Sequence, residues 1–434
     1  MHIGRGGPEI SILRRNLRAD YEPGNAASRC IQISVWQERV EHALIYLGAF
    51  GLGLGQGLVP QVLLLLALVF RLIVDRDSRK LRFASSVLPL FVLTGWMMLS
   101  AIPAIRPFAA WGGALGMALS GWVTLRVVYR VMMEKKEWKV HPLFIFLGSA
   151  CIGAIYALFN YVMALDKGRR WYRAALPFVG SNAAGTIFCV AILVALGYFY
   201  RADRRGRLIL FPVTILLTSA LIATQSRGAF VAFIAGLIVF LLLGIKSRRT
   251  LIISLATLVG VICIVGFFFR TNPSVASRYA RILNPLANRD RLEIWRIALQ
   301  MMRDHPILGV GFNNFMDVYP LYRDPEVSRT VMSMAHNIFL EFGSTTGIPG
   351  LVLFMVVVIR GLLVGIKGVI KAGSSSSLPI TALAVFVAIM THLQFDITVD
   401  SGNTLPFFFV PYGILLLLDE WLELRKREDE YAES

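Results

Sequence analysis

The chain has 434 residues, 56% of them hydrophobic and 16% charged, with 44 lysines and arginines against 27 acidic residues and a formal net charge of +17. A soluble globular domain carries nearer a quarter charged residues, so this composition argues against one. The basic excess gathers in short loops between apolar runs, where it acts as a topology signal and argues against a nucleic-acid partner. Three of the four cysteines (Cys151, Cys189 and Cys263, with Cys30 the fourth) lie inside apolar runs and none forms a metal-spaced pair, which argues against a disulfide framework or a zinc site.

In chain order, residues 1–42 are polar and arginine-rich, without the form of a signal peptide, and are expected on the cytoplasmic side. Twelve apolar runs follow, at about 43–57, 59–75, 85–102, 109–129, 142–162, 180–200, 208–224, 228–245, 250–269, 346–366, 378–393 and 404–420. Their lengths suit a hydrocarbon core about 30 Å thick. A chain in lipid must satisfy its own backbone, so these Leu-, Ala- and Gly-rich runs predict helices. The first two are predicted to form a hairpin, because "GQGLVP" (55–60) breaks a stretch too long for one span. The expectation is an all-α, polytopic integral membrane protein of about twelve helices. Its parts are a cytoplasmic segment (1–42), nine spans (43–269), a long, partly helical periplasmic loop (270–335), three spans (336–420) and a cytoplasmic tail (421–434).

With the N-terminus inside, the basic loops at 75–82, 130–139, 201–207, 246–249 and 360–371 all fall on the cytoplasmic side. Four outer stretches break the rule: "DKGRRWYR" (166–173), "TQSRG" (224–228), the loop 271–335 with eight arginines, and "THLQFDITVDSGN" (391–403). One reading is a loop balanced by its acids (Asp290, Glu293, Asp304, Asp317, Asp324, Glu326). The other is an anionic ligand, since a guanidinium matches phosphate oxygens. Within the loop, 289–303 is predicted helical, with Leu292, Trp295, Leu299 and Met302 as its apolar stripe, lying on the protein or bilayer surface. "HPILGVGFNNF" then ends it, with Asn313 and Asn314 as turn or polar site residues. "AHNIFLEFGSTTGIPG" (335–350) follows. Its Gly/Pro interruption at the bilayer edge needs protein or a water-filled cavity to cover the freed backbone groups, and suggests a cavity opening outward. His336 there is either an interfacial histidine or a general base or hydrogen-bond donor to substrate.

The ordered set "SRGA", "RLEIW", "HPILGVGFNNF" and "AHNIFLEFGSTTGIPG" resembles the bacterial O-antigen ligase and O-antigen polymerase superfamily, most strongly over residues 180–370 and closest to its ligase branch. The resemblance implies a GT-C-like membrane enzyme that works at the periplasmic face of the inner membrane. It implies an undecaprenyl diphosphate-linked glycan as donor and, for a ligase, a lipid A–core oligosaccharide as acceptor, with no cofactor and no metal. It places the motif arginines on Arg227 and Arg291 and the motif histidine on His336 as catalytic residues. The expected supporting, substrate-binding set is Arg173, Arg289, Asn337, His392 and Asp396; His392 or Asp396 would orient His336 or the acceptor. A polymerase, a protein O-glycan transferase and a membrane transporter are the competing readings. The transporter is disfavoured because no inverted pair of interrupted spans is visible.

Overall fold

The computed structural model describes residues 26–56, 58–74, 84–133, 141–244, 248–282, 284, 288–323, 332–373, 377–397 and 405–433. Residues 1–25 and 75–82, most of 130–139, and Asp324, Glu326 and Arg329 lie outside the described residues. Among those described, regular structure is helical, with a single isolated bridge between Leu176 and Val179. The first nine helices are α1 (Ala26–Gly53), α2 (Leu58–Val74), α3 (Ala84–Ser100), α4 (Pro107–Met133), α5 (Pro142–Asp166), α6 (Ser181–Arg201), α7 (Arg204–Ala223), α8 (Arg227–Gly244) and α9 (Arg248–Thr271). Then come three short ones, α10 (Pro273–Ala280), α11 (Arg289–Asp304) and α12 (Phe315–Tyr322), and three further helices, α13 (Ile338–Ala372), α14 (Leu378–His392) and α15 (Leu405–Glu433).

Each of the twelve apolar runs falls on one helix, α1 to α9 or α13 to α15. Seven of these (α4 to α8, α13 and the first part of α15) are long and apolar enough to cross a membrane. The end of α9 with α10, bent by 115° at Asn272, makes a possible eighth, while α14 and most of α3 are apolar but shorter. The protein is therefore an all-α polytopic membrane protein, and among the described residues seven or eight spans meet both criteria. The hairpin expected at 55–60 is present: α1 stops at Gly53, Gly55 turns with φ +80°, and α2 returns from Leu58 alongside α1.

Helix α6 forms the axis. Every residue from Ala184 to Gly197 is buried, as expected of a helix apolar on all sides and surrounded by others. α7, α8 and α14 pack around it. α13 runs beside α15, where Gly361, Gly365 and Gly368 face Tyr412, Leu415 and Leu418; a Cβ on any of them would meet those side chains at 3.0 Å or less. Small residues let two apolar helices approach closely where lipid supplies no hydrophobic drive.

The interruption in "GSTTGIPG" is real, but what covers it differs from the expectation of an outward cavity. α13 breaks at Gly347 (φ +72°, ψ −179°), and the chain at 306–310 plugs the break. Val310 N–H donates to Ser344 C=O at 2.9 Å, Ile348 N–H to Pro306 C=O at 2.8 Å, and the Trp96 indole N–H to Thr346 C=O at 2.8 Å. The backbone groups freed by the break thus bond to protein. The reason is distant in sequence: the glycines of "HPILGVG" let a loop press backbone to backbone onto the helix.

α11 spans the segment predicted helical, with a different buried stripe. Ile294, Ile297, Ala298 and Met301 pack with Val310, Phe315, Val318, Tyr319 and Ala335 in a small separate core. Leu292 and Leu299, from the predicted stripe, are about half exposed. The helix is apolar on more than one face, and its own period could not say which face would meet α12 and α13.

Candidate active site

The three arginine-bearing stretches expected on the outer side (166–173, 224–228 and the start of 271–335) come together at one end of the bundle, tied by hydrogen bonds. Arg173 Nε donates to Thr224 C=O at 3.0 Å, the Gln225 side chain to Tyr172 C=O at 2.9 Å, and Arg278 Nε to Gln225 C=O at 3.0 Å. Arg227 Nη1 donates to Arg281 C=O at 3.2 Å. Gln225 holds φ +51°, a left-handed conformation unusual for a side-chain-bearing residue, in the tight turn between α7 and α8 that sets Arg227 at the first position of α8. α6, α8, α11 and α13 all begin among these segments, so the positive ends of their dipoles add to the arginine charge.

His336 also has a left-handed backbone, with φ +51°. It precedes Asn337, the N-cap of α13, whose side-chain oxygen accepts from Phe339 N–H (3.0 Å) and Leu340 N–H (3.2 Å) and whose amide donates to Gln394 Oε1 at 3.2 Å. Glu341 accepts from Ala335 N–H at 2.6 Å, and Ile338 N–H donates to Leu393 C=O at 2.8 Å. These bonds stitch the start of α13 to the turn after α14 and bring His336 Nδ1 to 3.0 Å from Asp396 Oδ1. Strained backbone held by its surroundings is a common property of functional positions.

Asp396 is buried, which by itself would raise its pKa; the hydrogen bond with His336, the nearby His392 and the amide of Asn182 outweigh burial and hold the carboxyl below its ordinary range. It is therefore a carboxylate at neutral pH. Asn182, in the first turn of α6, donates to Asp396 Oδ2 and accepts from Arg173 Nη2 at 2.5 Å. Burial, then repulsion from Arg278, lowers the Arg173 pKa to about 10, so it stays protonated. Arg291, half buried, is lowered by burial in the same way while Asp396 opposes the shift. Arg227 faces like charges from Arg291, Arg278 and Arg281. Among the described residues one carboxylate, Asp396, faces this set of cations.

Arg227 and Arg291 line a common cleft of about 270 Å³, open to solvent, with Gly228, Val231, Ile282, Asn288, Leu292, Trp295 and Phe395. Arg291 donates no hydrogen bond to any described residue, and one of the five N–H groups of Arg227 is engaged, so most of their donors are free for a ligand. The lining combines cationic forks with apolar and aromatic walls, which suits a phosphorylated amphiphile.

Of the residues named from sequence, Arg173, Arg227, Arg291, His336 and Asp396 are thus brought together. Asn337 spends its amide on capping and on Gln394. His392 is 1% exposed and lies against Thr186, 3.3 Å from its Oγ1, so it supports the site from behind. Gly228 packs on Phe395, where an added Cβ would sit 2.9 Å from that residue's Cβ. Arg289 is exposed on the outer face of α11. Sequence reasoning missed Asn182 and Arg278. For Asn182 the signal was present: it is a polar residue at the N-terminal end of the most buried span, shortly after "RRWYR".

Among the described residues no three His, Cys, Asp or Glu side chains gather as a metal-ligand group. No curated protein matches the chain. Residues 212–355, which run from α7 into α13 and hold Arg227, Arg291 and His336, match the family described as O-Antigen ligase, and this match supports placing the chain in the O-antigen ligase and polymerase superfamily.

Proposed function

We propose that the protein is a glycosyltransferase of the O-antigen ligase type. It moves a glycan from undecaprenyl diphosphate to a sugar hydroxyl of lipid A–core oligosaccharide at the periplasmic face of a bacterial inner membrane, with both chain ends cytoplasmic. The observation that carries the reading is the His336–Asp396 hydrogen bond beside a cleft lined by two arginines with free donors. Asp396 orders the imidazole so that Nδ1 carries the proton and Nε2 is free to accept one. Nε2 takes the proton of the acceptor hydroxyl as its oxygen bonds to the anomeric carbon. The bond from that carbon to the diphosphate breaks, and the lipid diphosphate leaves with the electron pair. One displacement inverts the anomeric centre. Arg227 and Arg291 hold the diphosphate, with Arg173 and Arg289 as further cations. Charge grows on the leaving oxygens in the transition state, so fixed donors aimed at them lower the barrier. The arginines fill the electrostatic role a metal ion has elsewhere.

The test is a deletion strain complemented with Arg227→Ala, Arg291→Ala or His336→Ala, with membrane protein levels checked and lipopolysaccharide resolved on a gel. Loss of ligation leaves core without O-antigen while polymerised lipid-linked glycan persists. At most one repeat on the core would instead assign polymerase activity. Normal ladders in all three strains would sink the site.

A further inference from the structure

Asn182 is the second residue of α6, in "GSNAAGT", and the reading above gives it no task. Both ends of its amide are engaged, by Arg173 on the oxygen at 2.5 Å and by Asp396 Oδ2 on the nitrogen. Asp396 Oδ1 meets His336 Nδ1 at 3.0 Å. Arg173, Asn182, Asp396 and His336, from four separate segments, therefore form one hydrogen-bonded chain. We propose that Asn182 is a positioning residue which, through Asp396, holds His336 with its proton on Nδ1 and Nε2 free. The task of that Nε2 rests on the glycosyl-transfer reading.

The chemistry favours an amide at this position. A neutral primary amide accepts from a guanidinium at one end and donates to a carboxylate at the other. If Arg173 reached Asp396 directly, the ion pair would draw the carboxylate away from His336. Through the amide, the arginine polarises the chain and the carboxylate keeps one oxygen for the histidine. The groups facing Asp396 are His336, His392 at the end of α14, Arg291 from α11 and, across Asn182, Arg173. Among the described residues, Asn182 is the one that bonds Oδ2.

α6 holds Asn182 firmly. One turn on, Gly185 lies so close to the "TQSRG" turn that an added Cβ would sit 2.8 Å from that of Ala229 and 3.0 Å from that of Ser226. Thr186, on the same face, contacts the buried His392. The face that carries Asn182 is thus locked against both α8 and α14.

The alternative role, an anchor for Arg173 alone, predicts a different result from two variants. Asn182→Ala removes both bonds. Asn182→Asp has the same shape and keeps the acceptor for Arg173, but loses the donor to Asp396. Each variant and the wild type are purified in full, with 15N-labelled histidine, and the His336 signal is assigned by its loss in His336→Gln. Expected for the wild type is a single Nδ1–H tautomer. In both variants a mixture with the Nε2–H form replaces it, and kcat for transfer from undecaprenyl diphosphate-linked glycan to lipid A–core falls about tenfold or more with the donor KM little changed. An Asn182→Asp protein with a single Nδ1–H signal and wild-type kcat would overturn the inference and assign the anchoring role. A wild type that shows the ordered tautomer, lost in both variants, but transfers no glycan would leave the positioning role standing and reject the transferase reading.

Discussion

Replacing Gly347 with alanine tests how the site is mounted. The new Cβ would lie 2.1 Å from the Ile307 carbonyl oxygen and 2.4 Å from its carbon. These are backbone atoms, so no side-chain rotation relieves the clash. At φ +72°, ψ −179° the residue occupies a region essentially reserved for glycine, at a cost of about 1–3 kcal/mol for any other residue. To make room, the loop 306–310 must withdraw and give up its bonds from Ile348 to Pro306 (2.8 Å) and from Val310 to Ser344 (2.9 Å). Each contributes about 1 kcal/mol. The total is about 3–5 kcal/mol, a large share of the roughly 5–15 kcal/mol that keeps a folded protein folded. Scaling unfolding entropy to chain length converts this into a fall of about 3–6 °C in melting temperature. The assay is thermal melting of the detergent-purified protein. Gly260→Ala serves as control, because a Cβ there meets nothing within 4 Å and alanine is the better helix former. A Gly347→Ala protein that melts with the wild type would refute the view that the loop holds the break.

Asp396→Asn keeps the shape but turns an acceptor into a group that can donate to His336, so kcat should fall about 10²- to 10⁴-fold with the donor KM nearly unchanged; steady-state kinetics would show it. The Asp396 carboxyl is held below its ordinary value of 3.8, so the stability its charge contributes is complete above that value and lost as pH falls through the lower, folded one. The melting difference between wild type and Asp396→Asn should therefore persist at pH 5 and shrink only in stronger acid. Arg291→Lys keeps the charge but loses the planar fork and should weaken donor binding about tenfold, with Arg291→Ala worse, as read from KM. Trp96→Phe strands the Thr346 carbonyl and should cost about 1–3 kcal/mol in a melting experiment.

The helices were legible because each apolar run is a local signal with a length set by the bilayer. Arg227, Arg291 and His336 were named from motifs, Arg173 from its place in "RRWYR", and Asp396 as a candidate for orienting His336 or the acceptor. What holds them was not legible. Asn182 matters through residues 9 and 214 positions away, and the Gly347 break through a loop 40 residues earlier. On α11, Ile294, Ile297, Ala298 and Met301 repeat at helical spacing just as Leu292, Trp295, Leu299 and Met302 do, so periodicity alone gave two answers.

The break at Gly347 also changes what α13 can transmit. In an unbroken helix each residue turns the chain by 100°, so the azimuth of the N-cap would be slaved to the glycine stripe at 361, 365 and 368. Here the upper segment takes its orientation from Leu393, Gln394 and the loop at 306–310, and the lower segment takes its own from α15. The loop at 306–310, bonded on both sides of the joint, sets the angle between the two registers, so the aim of the imidazole is fixed by that loop and the turn after α14 rather than by the helix's own winding.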